Sequence, residues 1–237
     1  MKRLYFLTLF LSALILCESV SAENVDTAKQ YWVVAKDTEG KVLYREKHTT
    51  RYVNGRILTS LTNYIDPEGR EIAMMKSNYE RSVPMPTYVF KDYRRDYEEG
   101  LRFRDGKYHI FSRDPKRGER EKPLGDTKDV YSCQGWHYYV VNHLEELEKD
   151  QAFTLKLIFP NKLRSYPFRI EKVGSSEETM DVKVRFANRV TSWLVPHLGL
   201  VYNKKDRKLI EFQVVSNIYD ANDDLKDVWI TYYDNQE

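Results

Sequence analysis

Strict apolar/polar alternation, repeated in short segments, is the feature that most limits what this chain can fold into. Phe153, Leu155, Leu157 and Phe159 alternate with Thr154 and Lys156, and Val182, Val184 and Phe186 alternate with Lys183 and Arg185. Ile210, Phe212 and Val214 alternate with Glu211 and Gln213 in the same way. A period of two places successive side chains on opposite faces of a strand, so each segment has one dry and one wet face. From Tyr31 onward such stretches are separated by turn signals at Asp37 to Gly40, Asn54-Gly55, Pro67-Glu68-Gly69 and Asp105-Gly106. Polar connections follow at Asn203 to Arg207 and Asp220 to Asp224. Asn-Gly between Tyr52-Val53 and Arg56-Ile57-Leu58 is a two-residue hairpin signal, because both central positions tolerate positive φ. The pattern predicts a mainly β (α+β) chain with a curved antiparallel sheet or half-barrel of about ten strands. The Lys116 to Lys122 and Gly174-Ser175-Ser176 segments read as loops that do not split the domain.

One amphipathic helix is predicted from Gln134 to Lys149. At helical spacing Trp136, Val140, His143, Leu144 and Leu147 share a face, with Tyr138, Asn142, Glu145 and Lys149 opposite. This helix is expected to pack on the sheet and plug it.

The first twenty-two residues have the form of an export signal. Lys2 and Arg3 precede an apolar run from Leu4 to Cys17, and Ser19-Val20-Ser21-Ala22 supplies small residues for cleavage before Glu23. Residues 23–237 are then a single β-rich domain, and about 215 residues are enough for one sizeable core. The expected location is the bacterial periplasm, with a lipid-anchored or extracellular fate as the alternatives. A lipid anchor on Cys17 would want a small residue before the cysteine, where Leu16 stands. An outer-membrane barrel would show the same alternation, but the chain ends Asp234-Asn235-Gln236-Glu237 without a closing aromatic. Asn-x-Ser/Thr acceptors are absent from the sequence.

Basic residues number 38 and acidic ones 36. That balance, together with export, argues against a nucleic-acid partner or a polybasic membrane contact. Between Lys91 and Lys122, eleven basic and eight acidic residues interleave with Tyr93, Tyr97, Phe103, Tyr108 and Phe111. Solvated strand faces with cross-strand ion pairs account for this segment. A docking surface for a negatively charged envelope component is the functional alternative.

Export removes Cys17 and leaves Cys133 as a lone thiol just ahead of the helix, four residues before His137. A helix N-terminus and an imidazole both favour a thiolate, whereas a small buried residue at a helix start is the structural alternative. The five histidines, His48, His109, His137, His143 and His197, are scattered without metal-ligand spacing, and no Cys-x-x-Cys occurs. His143 is expected to be a hydrogen-bonded core histidine. Asp220-Ala221-Asn222-Asp223-Asp224 starts like a calcium loop, but Leu225 and Thr231 stand where such a loop needs glycine and glutamate. Phosphate-binding glycine loops, Gly-x-Ser-x-Gly and His-Glu-x-x-His are also missing. No cofactor and no metal is therefore expected, and the chain is expected not to be an enzyme.

The order of elements resembles the half-barrel class of the periplasmic lipoprotein carriers and their outer-membrane receptors (LolA/LolB-like). It also resembles uncharacterised secreted bacterial proteins whose C-terminal half runs helix, strand, Pro, paired strands and final hairpin. Here that order is Gln134-Gly135-Trp136 through Leu147, Phe153 to Pro160, Tyr166 to Ile170, and Leu200-Val201-Tyr202 through Ser216-Asn217-Ile218. The likeness spans most of the mature chain as architecture and transfers no functional residue. It implies a concave sheet face that holds an acyl chain or other apolar ligand, with a lipid, a lipoprotein or an envelope protein as partner and no transmembrane segment in the mature chain. Expected lining residues are Trp136, Val140, His143, Leu144 and Leu147 from the helix, and Phe153, Leu155, Leu157, Ile210, Phe212 and Val214 from the strands. The same residues would equally form a filled core. Two other functions stay open: an envelope-assembly factor acting through its surface, and a cysteine-dependent enzyme around Cys133 and His137.

Overall fold

The computed structural model describes residues 26–188, 197–220 and 224–232. The expected export signal, Cys17, the middle of the Asp220 to Asp224 segment and the terminal acidic residues lie outside them.

Fifteen strands among the described residues form one sheet. Eight come first: β1 (Asp26–Lys36), β2 (Val42–Val53), β3 (Arg56–Ile65), β4 (Glu71–Asn78), β5 (Thr87–Asp92), β6 (Tyr97–Arg104), β7 (Lys107–Asp114) and β8 (Gly118–Pro123). A two-residue strand, β9 (Val130–Tyr131), leads into helices α1 (Gly135–Asn142) and α2 (Leu144–Glu148). Then follow β10 (Phe153–Phe159), β11 (Arg164–Ser175), β12 (Thr179–Phe186), β13 (Leu198–Asn203), β14 (Leu209–Tyr219) and β15 (Leu225–Tyr232). The spatial order runs from β8 back to β1, then β15 back to β9, so two meanders are joined where β1 pairs β15. Every pairing is antiparallel except β9 with β10.

The turns follow the sequence closely. Asn54 and Gly55 have φ of 51° and 73°, and Asp105 and Gly106 have 50° and 74°, the paired positive values of a tight hairpin turn. Bulges at Ala35/Lys36, Arg51/Tyr52, Tyr64/Ile65 and Val215/Tyr219 add local twist. The sheet coils until its two ends meet without a ladder between them. Leu101, Tyr108 and Ile110 of β6 and β7 pack with Val130 and Ile158 of β9 and β10. Arg120 of β8 donates to the Asn161 carbonyl at 3.2 Å.

Three expectations need correction. The strands number fifteen among the described residues rather than about ten. One that escapes the pattern is β8 (Gly-Glu-Arg-Glu-Lys-Pro), because it has no apolar alternation and is a strand by its pairing with β7; it occupies most of the predicted Lys116 to Lys122 loop. Gly174 and Ser175 likewise belong to β11, with the turn displaced to Ser176. The single helix is two short ones, broken at His143, whose φ of −118° and ψ of 21° leave the helical region. Tyr138, Tyr139, Val140, Val141 and Asn142 are aromatic, β-branched or amide residues of low helix propensity, so little resists the break.

Two apolar clusters fill most of the interior. Val140, Leu144 and Leu147 join Leu155, Leu157, Phe168, Ile170, Val182 and Val184 under the helices. Val33, Ala35, Tyr44, Tyr64, Phe90, Val228 and Ile230 form the second where the meanders join. No helix among the described residues is long and apolar enough to cross a membrane.

Candidate functional site

Inward positions on β2 and β3 are polar as well as aromatic. Glu46, His48, Thr50, Ser60 and Thr62 are all buried beside Tyr44 and Tyr64. His48 Nε2 lies 2.7 Å from Glu46 Oε2, and its Nδ1 lies 3.1 Å from Thr62 Oγ1. Tyr31 stacks on the imidazole at 4.6 Å. A hydroxyl, an imidazole and a carboxylate in series have the composition of a nucleophile, a base and an orienting group. Thr62 is 0% exposed, however, and none of the three borders a cavity wall. Their hydrogen bonds satisfy polar groups that burial would otherwise leave unpaired.

A cavity of about 890 Å³ opens between the two ends of the coiled sheet. One wall comes from Met75, Tyr88, Phe90 and Tyr97 on β4 to β6, and the facing wall from Leu157, Ile158 and Phe159 on β10. Val214 and Ser216 of β14 contribute between them, and Cys133 and Trp136 close the helix side. The mouth carries Arg95, Lys116, Arg117, Arg120 and Lys162. Asp114 shapes that mouth: its Oδ1 accepts the backbone N–H groups of Lys116 at 2.9 Å and Arg117 at 2.8 Å, which fixes the turn between β7 and β8. Glu99 also faces the cavity, where burial raises its carboxyl and the Tyr97 hydroxyl donates to it at 2.5 Å.

The helix side is held by polar bonds. Tyr79, in the connection after β4, donates its hydroxyl to Gln134 Oε1 at 2.9 Å, and the Ser132 hydroxyl donates to the Pro86 carbonyl at 2.7 Å. Gly135 lies so close to this connection that a Cβ would meet the Pro84 carbonyl oxygen at 2.1 Å. Trp136 packs on Phe212 at 6.2 Å between ring centroids.

Of the eleven expected lining residues, Trp136, Leu157 and Val214 border the cavity. Val140, Leu144, Leu147 and Leu155 lie in the packed cluster under the helices, with Phe153 and Phe212 against it. Ile210 is half-buried on β14. His143 is half-buried at the helix break, where its Nδ1 pairs with the Tyr139 carbonyl at 2.8 Å and its ring stacks on Tyr139 at 3.9 Å. The gap between helix and C-terminal strands is filled, and the open volume lies on the far side of Trp136. Residues such as Phe90, Tyr97 and Ser112, on the consecutive strands β5 to β7, escape sequence reasoning because the wall they face, from β10 and β14, is far away in the chain. Their one local signal is the mixture of aromatic and polar residues at inward positions.

Cys133 Sγ lies 3.3 Å from Ser77 Oγ and 3.4 Å from both Met75 Sδ and Gln134 Oε1. Burial pushes its thiol up to about 11. His137 is turned to Tyr202, with Nδ1 3.0 Å from the hydroxyl, and burial pushes its imidazole down to about 4. Both shifts run against a thiolate and imidazolium pair. No group of three or more His, Cys, Asp or Glu suited to a metal ion occurs among the described residues.

No family model matches the chain, and no curated protein matches it. Among solved structures, a β-barrel-like protein of the domain of unknown function DUF1849 from Brucella abortus is similar at 10% identity. The match covers 89% of this chain and 96% of that one, with a TM-score of 0.48.

Proposed function

We propose that this chain is an exported, non-enzymatic protein that binds an apolar or amphipathic ligand inside its coiled sheet. The carrying observation is the cavity of about 890 Å³ walled by Met75, Tyr88, Phe90, Leu157, Ile158 and Phe159. Small-molecule sites are concave, mostly apolar and about 300–1,000 Å³ in volume, with a few polar groups at fixed places. Hydrophobic transfer of a ligand chain into such a space is favourable by about 0.8 kcal/mol per buried methylene. Export is supported by the apolar run from Leu4 to Cys17 and the small residues before Glu23. Export in a bacterium would take the protein to the periplasm, where a lipid or a lipid-modified protein would be a natural partner.

The test is to purify the mature chain and to measure both co-purified lipid by mass spectrometry and binding of a fluorescent fatty acid. A retained acyl compound, or saturable binding near one per chain, is the expected result. Repeated absence of both would overturn the proposal.

A further inference from the structure

The cavity mouth says what kind of head group the ligand carries; this rests on the binding reading above and sharpens it. Five basic and two acidic residues line the cavity. The lining is thus more positive than the whole chain, whose formal charge is only +2. Both acids are committed to holding structure. Asp114 accepts the backbone N–H groups of Lys116 and Arg117, and Glu99 accepts the Tyr97 hydroxyl and the Asn161 N–H. Among the described residues, no carboxylate pairs with Lys116, Arg117 or Lys162.

Arg120 gives an independent indication. One of its terminal nitrogens reaches Ser112 Oγ at 3.4 Å and the Asn161 carbonyl at 3.2 Å. Its Nε is buried with no acceptor among the described residues. An unpaired buried donor costs about 1–3 kcal/mol, more when charged, so an added acceptor at this cavity-lining guanidinium would be favourable. Guanidinium and ammonium groups bind carboxylate and phosphate oxygens through charge-assisted hydrogen bonds. The apolar wall begins directly inside, at Phe159 and Ile158.

We infer that the occupant is a single-chain amphiphile with an anionic head, its chain against Phe90, Leu157 and Ile158 and its head at Arg117, Arg120 and Lys162. Carboxylate and phosphate heads share this chemistry.

Displacement of N-phenyl-1-naphthylamine, an uncharged probe, from the mature protein tests this with three ligands of one chain length: hexadecanoate, hexadecyl phosphate and hexadecanol. Both anions should bind about tenfold or more tightly than the alcohol, and added salt should narrow the gap because the mouth is exposed. Tighter binding of one anion would identify the head. The double variant Arg117→Gln, Lys162→Gln, which leaves Arg120 in place, should narrow the gap between anions and alcohol severalfold, while Lys205→Gln, on an exposed turn away from the cavity, should change nothing. Equal binding of alcohol and anions, or an anion preference intact in the double variant, would overturn the inference and leave the cavity reading standing. Failure of the probe and all three ligands to bind would overturn both.

Discussion

His137 is stacked on Tyr202 with ring centroids 5.6 Å apart, and its Nδ1 lies 3.0 Å from the Tyr202 hydroxyl. This contact fastens α1 to β13 through a ring that burial keeps neutral, with its pKa down at about 4. A depressed folded-state value means that the unfolded chain takes up the proton first. The stability involved is fully present above about pH 6.5 and is lost as pH falls through about 4, and its size is on the order of 3 kcal/mol. Urea midpoints for the wild type should therefore fall over that window, and His137→Gln should flatten the slope. An unchanged slope in the variant would show that His137 is not the group responsible.

Cys133 should be a slow thiol. With its pKa at about 11, roughly one thiol in ten thousand is ionised at neutral pH. Alkylation of the mature chain should be far slower than that of a free cysteine at pH 7 and should accelerate about tenfold per pH unit toward pH 11. Because Cys133 borders the cavity, saturating hexadecanoate should slow it further. Labelling at the rate of an exposed thiol, indifferent to ligand, would contradict both its burial and its position.

Gly135 sets helix propensity against packing. Alanine in place of a helical glycine gains about 1 kcal/mol, but the new Cβ would meet the Pro84 carbonyl at 2.1 Å and the Val83 carbonyl at 2.8 Å. Backbone oxygens cannot swing aside as a side chain can, so overpacking wins. Gly135→Ala should lose about 1–3 kcal/mol, measured by chemical denaturation. A stabilised variant would mean that the connection after β4 yields.

Leu147 separates the filled core from the open cavity. It is 0% exposed, inside the cluster under the helices, and takes no part in the cavity wall. Leu147→Ala should cost about 2–5 kcal/mol and leave the affinity for a fatty acid unchanged in the fraction that remains folded. Lost affinity with unchanged stability would reverse that assignment.

Much of the fold is legible in the sequence wherever burial is one-sided. The alternation from Phe153 to Phe159 and from Val182 to Phe186 marks β10 and β12 because one face of each strand is dry. The Asn54-Gly55 and Asp105-Gly106 turns are readable because positive φ restricts residue choice. β8 is hidden because pairing with β7, and not burial, makes it a strand. The helix break at His143 is hidden because heptad-like spacing continues across it from Val140 to Leu144 and Leu147. The cavity is the least legible part. Trp136, Leu157 and Val214 are visible as apolar residues facing inward, but whether a neighbouring space is filled depends on how far the sheet coils. That is decided by contacts such as Leu101 and Ile110 with Val130 and Ile158, which join distant segments.

Trp136 offers the most direct measurement, because its indole borders the cavity. Hexadecanoate brominated along its chain quenches only tryptophans it touches. Binding in the cavity predicts saturable quenching at about one equivalent per chain, with the saturable component abolished in Trp136→Phe. No saturable quenching, or quenching of equal depth in Trp136→Phe, would contradict a ligand between Phe90, Leu157 and Trp136.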